Sequence, residues 1–166
     1  MPRITLIAHN IRSTHNVGAL FRTAEGFGVQ KIILSGYTPY PHHQHDSRLP
    51  HIADKLHAQI HKTALGAETM VPFEQYDHIE DWLQDNALPL IALEQTPGSR
   101  LLPEFTPPEE FALLLGEEVH GIEDALLAQC SHFVEIPMSG KKESFNVSVA
   151  AGIALYGLTY PSPQSL

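Results

Sequence analysis

The chain has 166 residues, enough for one domain with a substantial core, and nothing in it suggests a second domain. Its 43% hydrophobic and 17% charged residues are typical of a soluble globular protein, and no apolar run is long enough to span a membrane. The net charge of −9 argues against a generally basic nucleic-acid-binding surface, but it permits a local basic patch built from Arg12, Arg22, Lys141 and Lys142.

The N-terminus and the cysteine content both favour the cytoplasm. The first apolar run is too short for a signal peptide, and it is typical of an immediate first strand. Cys130 is the only cysteine, which excludes an intramolecular disulfide. We therefore expect a cytoplasmic protein.

Short apolar runs predict strands, and apolar residues at 3.6-residue spacing, such as Val17, Leu20 and Phe21, predict helices. Residues 36–45 form a loop rich in proline and histidine, residues 94–108 a loop with four prolines, and residues 161–163 a tail. In chain order the prediction is strand 4–8, helix 16–26, strand 31–35, helix 52–64, strand 70–73, helix 76–85, strand 88–93, strand 111–115, helix 123–129, strand 133–136 and helix 144–158.

Strands that alternate with helices, most of them apolar throughout, predict an α/β fold with a parallel sheet covered on both faces. Ligands of open parallel sheets bind beyond the carboxyl ends of the strands. That rule places four segments at one edge, namely residues 9–22, 94–101, 116–121 and 137–146.

The most informative segment at that edge is residues 136–152. An apolar strand leads through a polar loop with glycine and lysine into an apolar helix predicted from Ser144. Ser144 and Asn146 lie where the free N–H groups of a helix start need oxygen acceptors, and such a junction is able to hold a polar ligand. The usual glycine-rich dinucleotide and phosphate-loop signatures are missing from the sequence.

Three segments, in this order, resemble one enzyme superfamily. They are Asn16-Val-Gly-Ala-Leu-Phe-Arg22, Leu113-Leu-Leu-Gly-Glu-Glu-Val-His-Gly-Ile122, and residues 136–152. Together they are similar to the SPOUT superfamily of RNA methyltransferases, in its SpoU or TrmH branch of ribose 2′-O-methyltransferases. Shorter phrases extend the resemblance over nearly the whole chain.

The resemblance implies one SPOUT methyltransferase domain over residues 1–166, with its C-terminal part tied in a deep trefoil knot. S-adenosylmethionine would bind in the knot, and the protein would be a homodimer with active sites near the interface. The positions that match or adjoin the family's cofactor contacts are Leu93, Glu94, Gly116, Ile136, Met138, Ser144 and Phe145.

The resemblance also implies a catalytic set, in which Arg22 matches the arginine assigned a catalytic role. The surrounding site would contain Asn16, Glu118, Ser144 and Asn146. A neutral ribose 2′-hydroxyl is a poor nucleophile, so methyl transfer requires a proton acceptor or stabilisation of the alkoxide. Because the pKa of arginine exceeds about 12, we expect Arg22 chiefly to bind the adjacent phosphate and stabilise the alkoxide. His15 is an alternative base.

Two positions depart from the family pattern. Glu117 stands where the family often has asparagine and adds negative charge near the expected RNA site, and Phe145 stands where leucine is usual. Taken alone, Asn16, Ser144 and Asn146 are compatible with simple helix caps. Gly116 and Gly121, taken alone, are compatible with ordinary turn glycines.

Histidines are dense between residues 42 and 61, and His57 and His61 have the i,i+4 spacing of a helical metal pair. No cysteine joins them, so we interpret them as a polar loop and helix face and predict no metal site, with a metal-binding protein as a weaker alternative.

The predicted function is S-adenosylmethionine-dependent ribose 2′-O-methylation of RNA, with tRNA preferred because compact family members commonly modify tRNA. The alternative is a non-catalytic RNA- or cofactor-binding member of the same fold, suggested by the acidic balance and Glu117. The last predicted helix is apolar on several sides, which favours a dimer contact.

Overall fold

The computed structural model describes residues 1–161, so that all of the predicted tail except Pro161 lies outside the described residues. The strands are β1 (Arg3–His9), β2 (Lys31–Ser35), β3 (Phe73–Tyr76), β4 (Leu90–Leu93), β5 (Arg100–Leu101), β6 (Glu110–Leu115) and β7 (His132–Glu135). The helices are α1 (Thr14–Gly26), α2 (Pro50–Ala64), α3 (Ile79–Gln84), α4 (Asp124–Leu127) and α5 (Val147–Thr159). Two 3-10 helices cover Ala67–Thr69 and Leu102–Glu104.

The seven strands form one sheet in the order β3-β2-β1-β6-β4-β7-β5, and every named pairing is parallel. The predicted α/β class with a parallel sheet is confirmed. The central strands β1 and β6 are apolar and buried on both faces, as the continuous apolar runs predicted. No helix within residues 1–161 is long and apolar enough to cross a membrane.

Helices cover both faces of the sheet. One core contains the buried sides of α1, α2 and α5, and the other contains α3 and α4 with the opposite faces of the strands. Strand alternation explains the division, because Leu6 of β1 belongs to the first core and its neighbour Ile7 to the second. The helices α1 and α5 contact each other on the same side of the sheet.

The boundaries predicted between residues 70 and 85 are wrong. The strand is Phe73–Tyr76 instead of residues 70–73, and the following helix is Ile79–Gln84 instead of residues 76–85. This edge strand has polar residues in its middle, so it lacks the continuous apolar run that predicts a strand. Its position is set by pairing with β2, where Phe73 lies opposite Ile32. Val71 lies within the predicted strand but is a buried residue of the first core and does not belong to the sheet.

Two further differences involve the C-terminal half. The predicted loop 94–108 contains β5, whose Arg100 lies opposite Val134 of β7; a two-residue strand exists only through that tertiary pairing. The last helix begins at Val147, so Ser144 lies in the preceding loop and not at the helix start. The other elements agree with the prediction within a few residues at their ends.

Candidate active site

A cavity of about 340 Å³ opens where β4, β6 and β7 end. These three strands are neighbours in the sheet, so the loops that leave their carboxyl ends meet there. All seven positions predicted to contact a cofactor line this cavity: Leu93, Glu94, Gly116, Ile136, Met138, Ser144 and Phe145.

Two glycines let the wall after β6 approach the rest of the cavity. A Cβ atom at Gly116 would lie 2.7 Å from the backbone nitrogen of Ile122, which is closer than real contacts allow. Gly121 has φ +70°, and a Cβ atom there would collide with the carboxylate of Glu94. Gly116 and Gly121 flank the turn at residues 118–120, in agreement with their interpretation as turn glycines. This turn is a wall of the cavity.

The carboxylate of Glu94 ties this wall to β4. It accepts hydrogen bonds from the backbone N–H groups of Gln95 and Ile122, both at 3.1 Å. The turn between Gly116 and Ile122 is closed by reciprocal backbone bonds between Glu117 and Gly121, at 3.1 and 2.8 Å. Glu94 therefore organises the cavity as well as lining it.

The cavity is acidic. No lysine or arginine of residues 1–161 lines it, so the local potential favours a ligand that carries positive charge. The carboxylates of its lining belong to Glu94, Glu117, Glu118, Glu135 and Glu143.

Three of the predicted catalytic residues form a hydrogen-bonded chain at the rim. Nδ2 of Asn146 donates to Oδ1 of Asn16 at 3.2 Å, and Nδ2 of Asn16 donates to Oε1 of Glu118 at 3.3 Å. Glu118 also accepts from the backbone N–H of Arg12 at 3.4 Å. These hydrogen bonds join residues that are more than one hundred positions apart in the sequence. Glu118 takes part in them and also lines the cavity.

The simple-cap interpretation is wrong for Asn16. Ser13 caps α1, because its hydroxyl accepts from the backbone N–H of Asn16 at 3.2 Å, and the Asn16 side chain is directed to Glu118. Asn146 does cap α5, with Oδ1 accepting from Ser148 N at 3.0 Å, while its Nδ2 reaches Asn16. Ser144 lines the cavity from the loop.

Arg22 and His15 lie apart from this group. Both are exposed on α1, and neither lines the cavity. Arg22 is six residues after Asn16, which corresponds to roughly 9 Å along a helix axis. The side chain of Arg22 forms no ion pair within residues 1–161, so its guanidinium is available to an anion.

The two departures from the family pattern have local structural explanations. Oε2 of Glu117 accepts the backbone N–H of His120 at 2.5 Å, so this carboxylate stabilises its own turn. Phe145 lines the cavity and stays partly exposed. At this position its ring presents an apolar surface to the cavity, as the leucine that is usual in the family would.

Within residues 1–161 no group of three or more His, Cys, Asp or Glu side chains is arranged to hold a metal ion. His42 contacts His57 and Asp54 instead, with 2.9 Å between His42 Nε2 and Asp54 Oδ1. Burial raises the pKa of the Cys130 thiol to about 11, so it stays protonated near neutral pH and is a poor nucleophile.

The cavity wall also contains residues for which the sequence suggested no individual role. Most of them directly follow or precede a predicted site residue, so adjacency in the sequence to those residues could have identified them. They are Gln95, Leu115, Val119, His120, Glu135, Glu143, Val147 and Ala150.

Comparison with known sequences relates the chain to one family. The family model described as the SpoU rRNA Methylase family matches residues 3–156. A curated relative, the 23S rRNA (guanosine-2′-O-)-methyltransferase RlmB of Coxiella burnetii, is 30% identical over 163 residues. The match covers 93% of this chain and 57% of that protein, so the chain spans little more than half of the relative's length.

Solved structures share the fold. An AdoMet-bound rRNA methyltransferase from Sinorhizobium meliloti has a TM-score of 0.76 at 23% identity, over 93% of this chain and 55% of that chain. A structure described as "Structural insights into the 2-OH methylation of C/U34 on tRNA" has a TM-score of 0.75 at 23% identity and is covered over 93% of both chains.

Proposed function

The chain belongs to the SpoU rRNA methylase family, and on that premise we propose that it transfers a methyl group from S-adenosylmethionine to a ribose 2′-hydroxyl of RNA. One observation carries the proposal: Glu118 is shared by the cavity at the carboxyl edge and by the polar chain through Asn16 and Asn146. A site for a methyl donor and a site able to orient a hydroxyl group are therefore adjacent.

The cavity residues fit S-adenosylmethionine. The apolar side chains of Leu93, Ile136 and Met138 suit the flat adenine ring, and the surrounding carboxylates suit the positively charged sulfonium and ammonium groups. When bound, the cofactor supplies an electrophilic methyl group. The glycines at positions 116 and 121 let Ile122 and the Glu94 carboxylate pack closely against the turn, which brings the wall of the cavity together.

The polar chain is suited to hold the ribose. Asn16 and Asn146 are fixed by hydrogen bonds to protein partners, so their remaining donors and acceptors are preorganised for sugar hydroxyl groups. In the reaction the 2′-oxygen forms a bond to the methyl carbon, the sulfur–methyl bond breaks, and the hydroxyl proton leaves to a base or solvent. Arg22 binds the neighbouring phosphate and stabilises negative charge on the 2′-oxygen.

We propose that the C-terminal part is threaded as a trefoil knot. β4 and β5 follow each other in the chain, yet β7 lies between them in the sheet, and Leu93 and Arg100 both pair with Val134. Residues 94–99 therefore cross the line of β7. The chain that continues from β7 passes this crossing and returns as α5, where Gly157 packs against Leu102.

We propose that residues 1–166 act as one methyltransferase domain in a homodimer. The exposed face of α5 carries an apolar stripe at helical spacing, formed by Val149, Ile153, Tyr156 and Tyr160. Tyr156 is 62% exposed, an unusual exposure for an aromatic side chain in a helix of this apolarity. A second copy would cover this stripe.

The dimer is tested by Tyr156→Asp. We expect the variant to be monomeric at concentrations where the unaltered chain is dimeric, because the change places a charge in an apolar interface. Multi-angle light scattering measures the mass. Met70→Asp, at another exposed apolar side chain, is the matched control, and equal masses for all three proteins would contradict the proposed interface.

We propose tRNA as the substrate class and the cytoplasm as the location. One solved structure with this fold is described by the 2-OH methylation of C/U34 on tRNA, which supports tRNA as the substrate class. The RlmB relative is named for 23S rRNA, so rRNA is the competing substrate class. Transfer of labelled methyl groups to bulk unmethylated tRNA and to rRNA, followed by mass mapping of ribose methylation, distinguishes the two substrates.

Calorimetry with S-adenosylmethionine tests the proposed function directly. Failure to bind the cofactor would overturn it. Cofactor binding with no transfer to any RNA would favour the alternative, a non-catalytic RNA- or cofactor-binding member of the fold. The observation that favours this alternative is the negative charge of Glu117 and the other carboxylates that line the cavity.

Gly121→Ala is expected to weaken S-adenosylmethionine binding by at least tenfold, because the new methyl group collides with Glu94 and the backbone has a left-handed conformation. Calorimetry measures the dissociation constant. Gly140→Ala is the control, since a Cβ atom there meets nothing within 4 Å. Equal affinity in the two variants would show that the turn does not shape the cofactor site.

A further inference from the structure

A second cavity lies beside the first, at the carboxyl ends of β2 and β3 and next to the start of α1. Its wall includes Arg12, Tyr37, Gln59, Gln75 and Asp77. None of these side chains has a place in the proposed methyl transfer.

Arg12 connects the two cavities. Its backbone N–H contacts Oε2 of Glu118 at 3.4 Å, and Glu118 lines the first cavity, whereas Arg12 itself lines the second. The two cavities therefore adjoin each other through Arg12, so a polymer bound beside Glu118 would run close to the second cavity.

Arg12 and Tyr37 present a cation and an aromatic ring together. The guanidinium carbon lies 5.8 Å from the centre of the Tyr37 ring, and the side chain of Arg12 forms no ion pair within residues 1–161. Tyr37 is 52% exposed. Tyr40, by contrast, has the guanidinium of Arg48 over its ring at 3.6 Å, so that face is already covered.

The loop that carries Tyr37 is held in place. Oδ1 of Asn10 accepts the backbone N–H of Tyr37 at 3.2 Å, and Gly36, at φ +66°, permits Asn10 to approach. The hydroxyl of Thr38, 2% exposed, accepts the N–H of Ile11, and its one proton is shared between the carbonyl oxygens of Ser35 at 2.8 Å and Ala8 at 3.0 Å. The backbone that carries the ring is thus held in place, which lowers the entropy lost on binding.

The composition of the cavity indicates its ligand. Arg12 and Asp77 line the same cavity, so the cavity as a whole is not an anion site. Its exposed ring suits a flat base, and the amides of Gln59 and of Gln75, whose Nε2 donates to Asp77 at 2.9 Å, suit polar base edges. Arg12 then suits the phosphate attached to that base. Aromatic rings paired with cations are a common way to bind single-stranded nucleic acid.

We propose that this cavity binds the base of a single-stranded RNA nucleotide adjacent to the methylated one, with Tyr37 stacking on the base and Arg12 contacting its phosphate. The assignment rests on the proposed function, because it takes RNA as the substrate. It adds a recognition element outside the cofactor cavity.

The test measures RNA binding by fluorescence anisotropy with labelled oligouridine, which has no stable secondary structure. Tyr37→Ala is expected to weaken binding about tenfold or more, and Tyr37→Phe to leave it within twofold, because stacking needs the ring and not the hydroxyl. Arg12→Ala is expected to weaken binding and to reduce the salt dependence by about one phosphate contact. In Tyr37→Trp, oligouridine should quench the new fluorescence, while the buried Trp82 gives a constant background.

The outcomes separate the two proposals. If the unaltered chain binds oligouridine and Tyr37→Ala binds it equally well, the nucleotide site is overturned while the proposed function stands. If RNA binding depends on Tyr37 but no methyl transfer to bulk RNA occurs, the proposed catalytic function is overturned and the nucleotide site stands. No RNA binding by the unaltered chain overturns the nucleotide site, and calorimetry with S-adenosylmethionine then judges the cofactor site alone.

Discussion

Arg22→Ala is expected to lower the rate of methyl transfer by about 100-fold or more, with little change in S-adenosylmethionine affinity or in thermal stability. The rate should fall because no other group is proposed to stabilise charge on the 2′-oxygen. Cofactor affinity should hold because Arg22 does not line the cavity. Stability should hold because the side chain is exposed and forms no ion pair within residues 1–161.

Arg22→Lys separates positioning from charge. Lysine keeps the positive charge but loses the planar fork that binds a phosphate through two hydrogen bonds, so we expect only partial recovery of the rate. Single-turnover rates at saturating cofactor and RNA measure the effect, with Glu25→Gln as a control at another exposed position of α1. Full activity in Arg22→Lys would rule out the positioning role. A normal pH–rate profile in His15→Ala would remove His15 as the alternative base.

Gly18→Ala is expected to lower the free energy of unfolding by about 3 kcal/mol or more. Gly18 lies where α1 crosses α2, and a Cβ atom there would overlap the carbonyl oxygen of Ile60 and lie 2.9 Å from the backbone nitrogen of Ala64. Backbone atoms cannot turn away as a flexible side chain does. A hydrogen bond also joins the two helices at this crossing, because the hydroxyl of Thr63 donates to the carbonyl oxygen of His15 at 2.8 Å.

Urea unfolding followed by circular dichroism measures this change. Gly26→Ala is the matched control in the same helix, since its Cβ atom would meet nothing within 4 Å and alanine favours helix by up to about 1 kcal/mol. We expect Gly26→Ala to be neutral or slightly stabilising. If Gly18→Ala lowered the free energy of unfolding by less than about 1 kcal/mol, α1 and α2 would be able to move apart at little cost. The position of Asn16 on α1 would then be only loosely fixed.

The second cavity shows where sequence patterns stop being informative. Arg12 and Tyr37 are 25 residues apart and belong to no motif that the chain displays, and each alone is an ordinary exposed residue. They meet because β1 and β2 are parallel neighbours whose carboxyl ends lie together. The same rule brought the seven predicted positions to one cavity only because motifs had already marked residues at the ends of those strands.

The sequence by itself determined the α/β class, the central strands and seven positions that all line the cavity at the carboxyl ends of β4, β6 and β7. These features depend on local apolar periodicity and on short motifs, which are readable without knowing the partners. Tertiary structure alone decided the existence of β5, the register of β3, the use of Ser13 instead of Asn16 as the cap, and the joining of Asn16, Glu118 and Asn146. Each of these depends on hydrogen bonds between distant parts of the chain, whose energies favour a conformation that the local sequence does not specify.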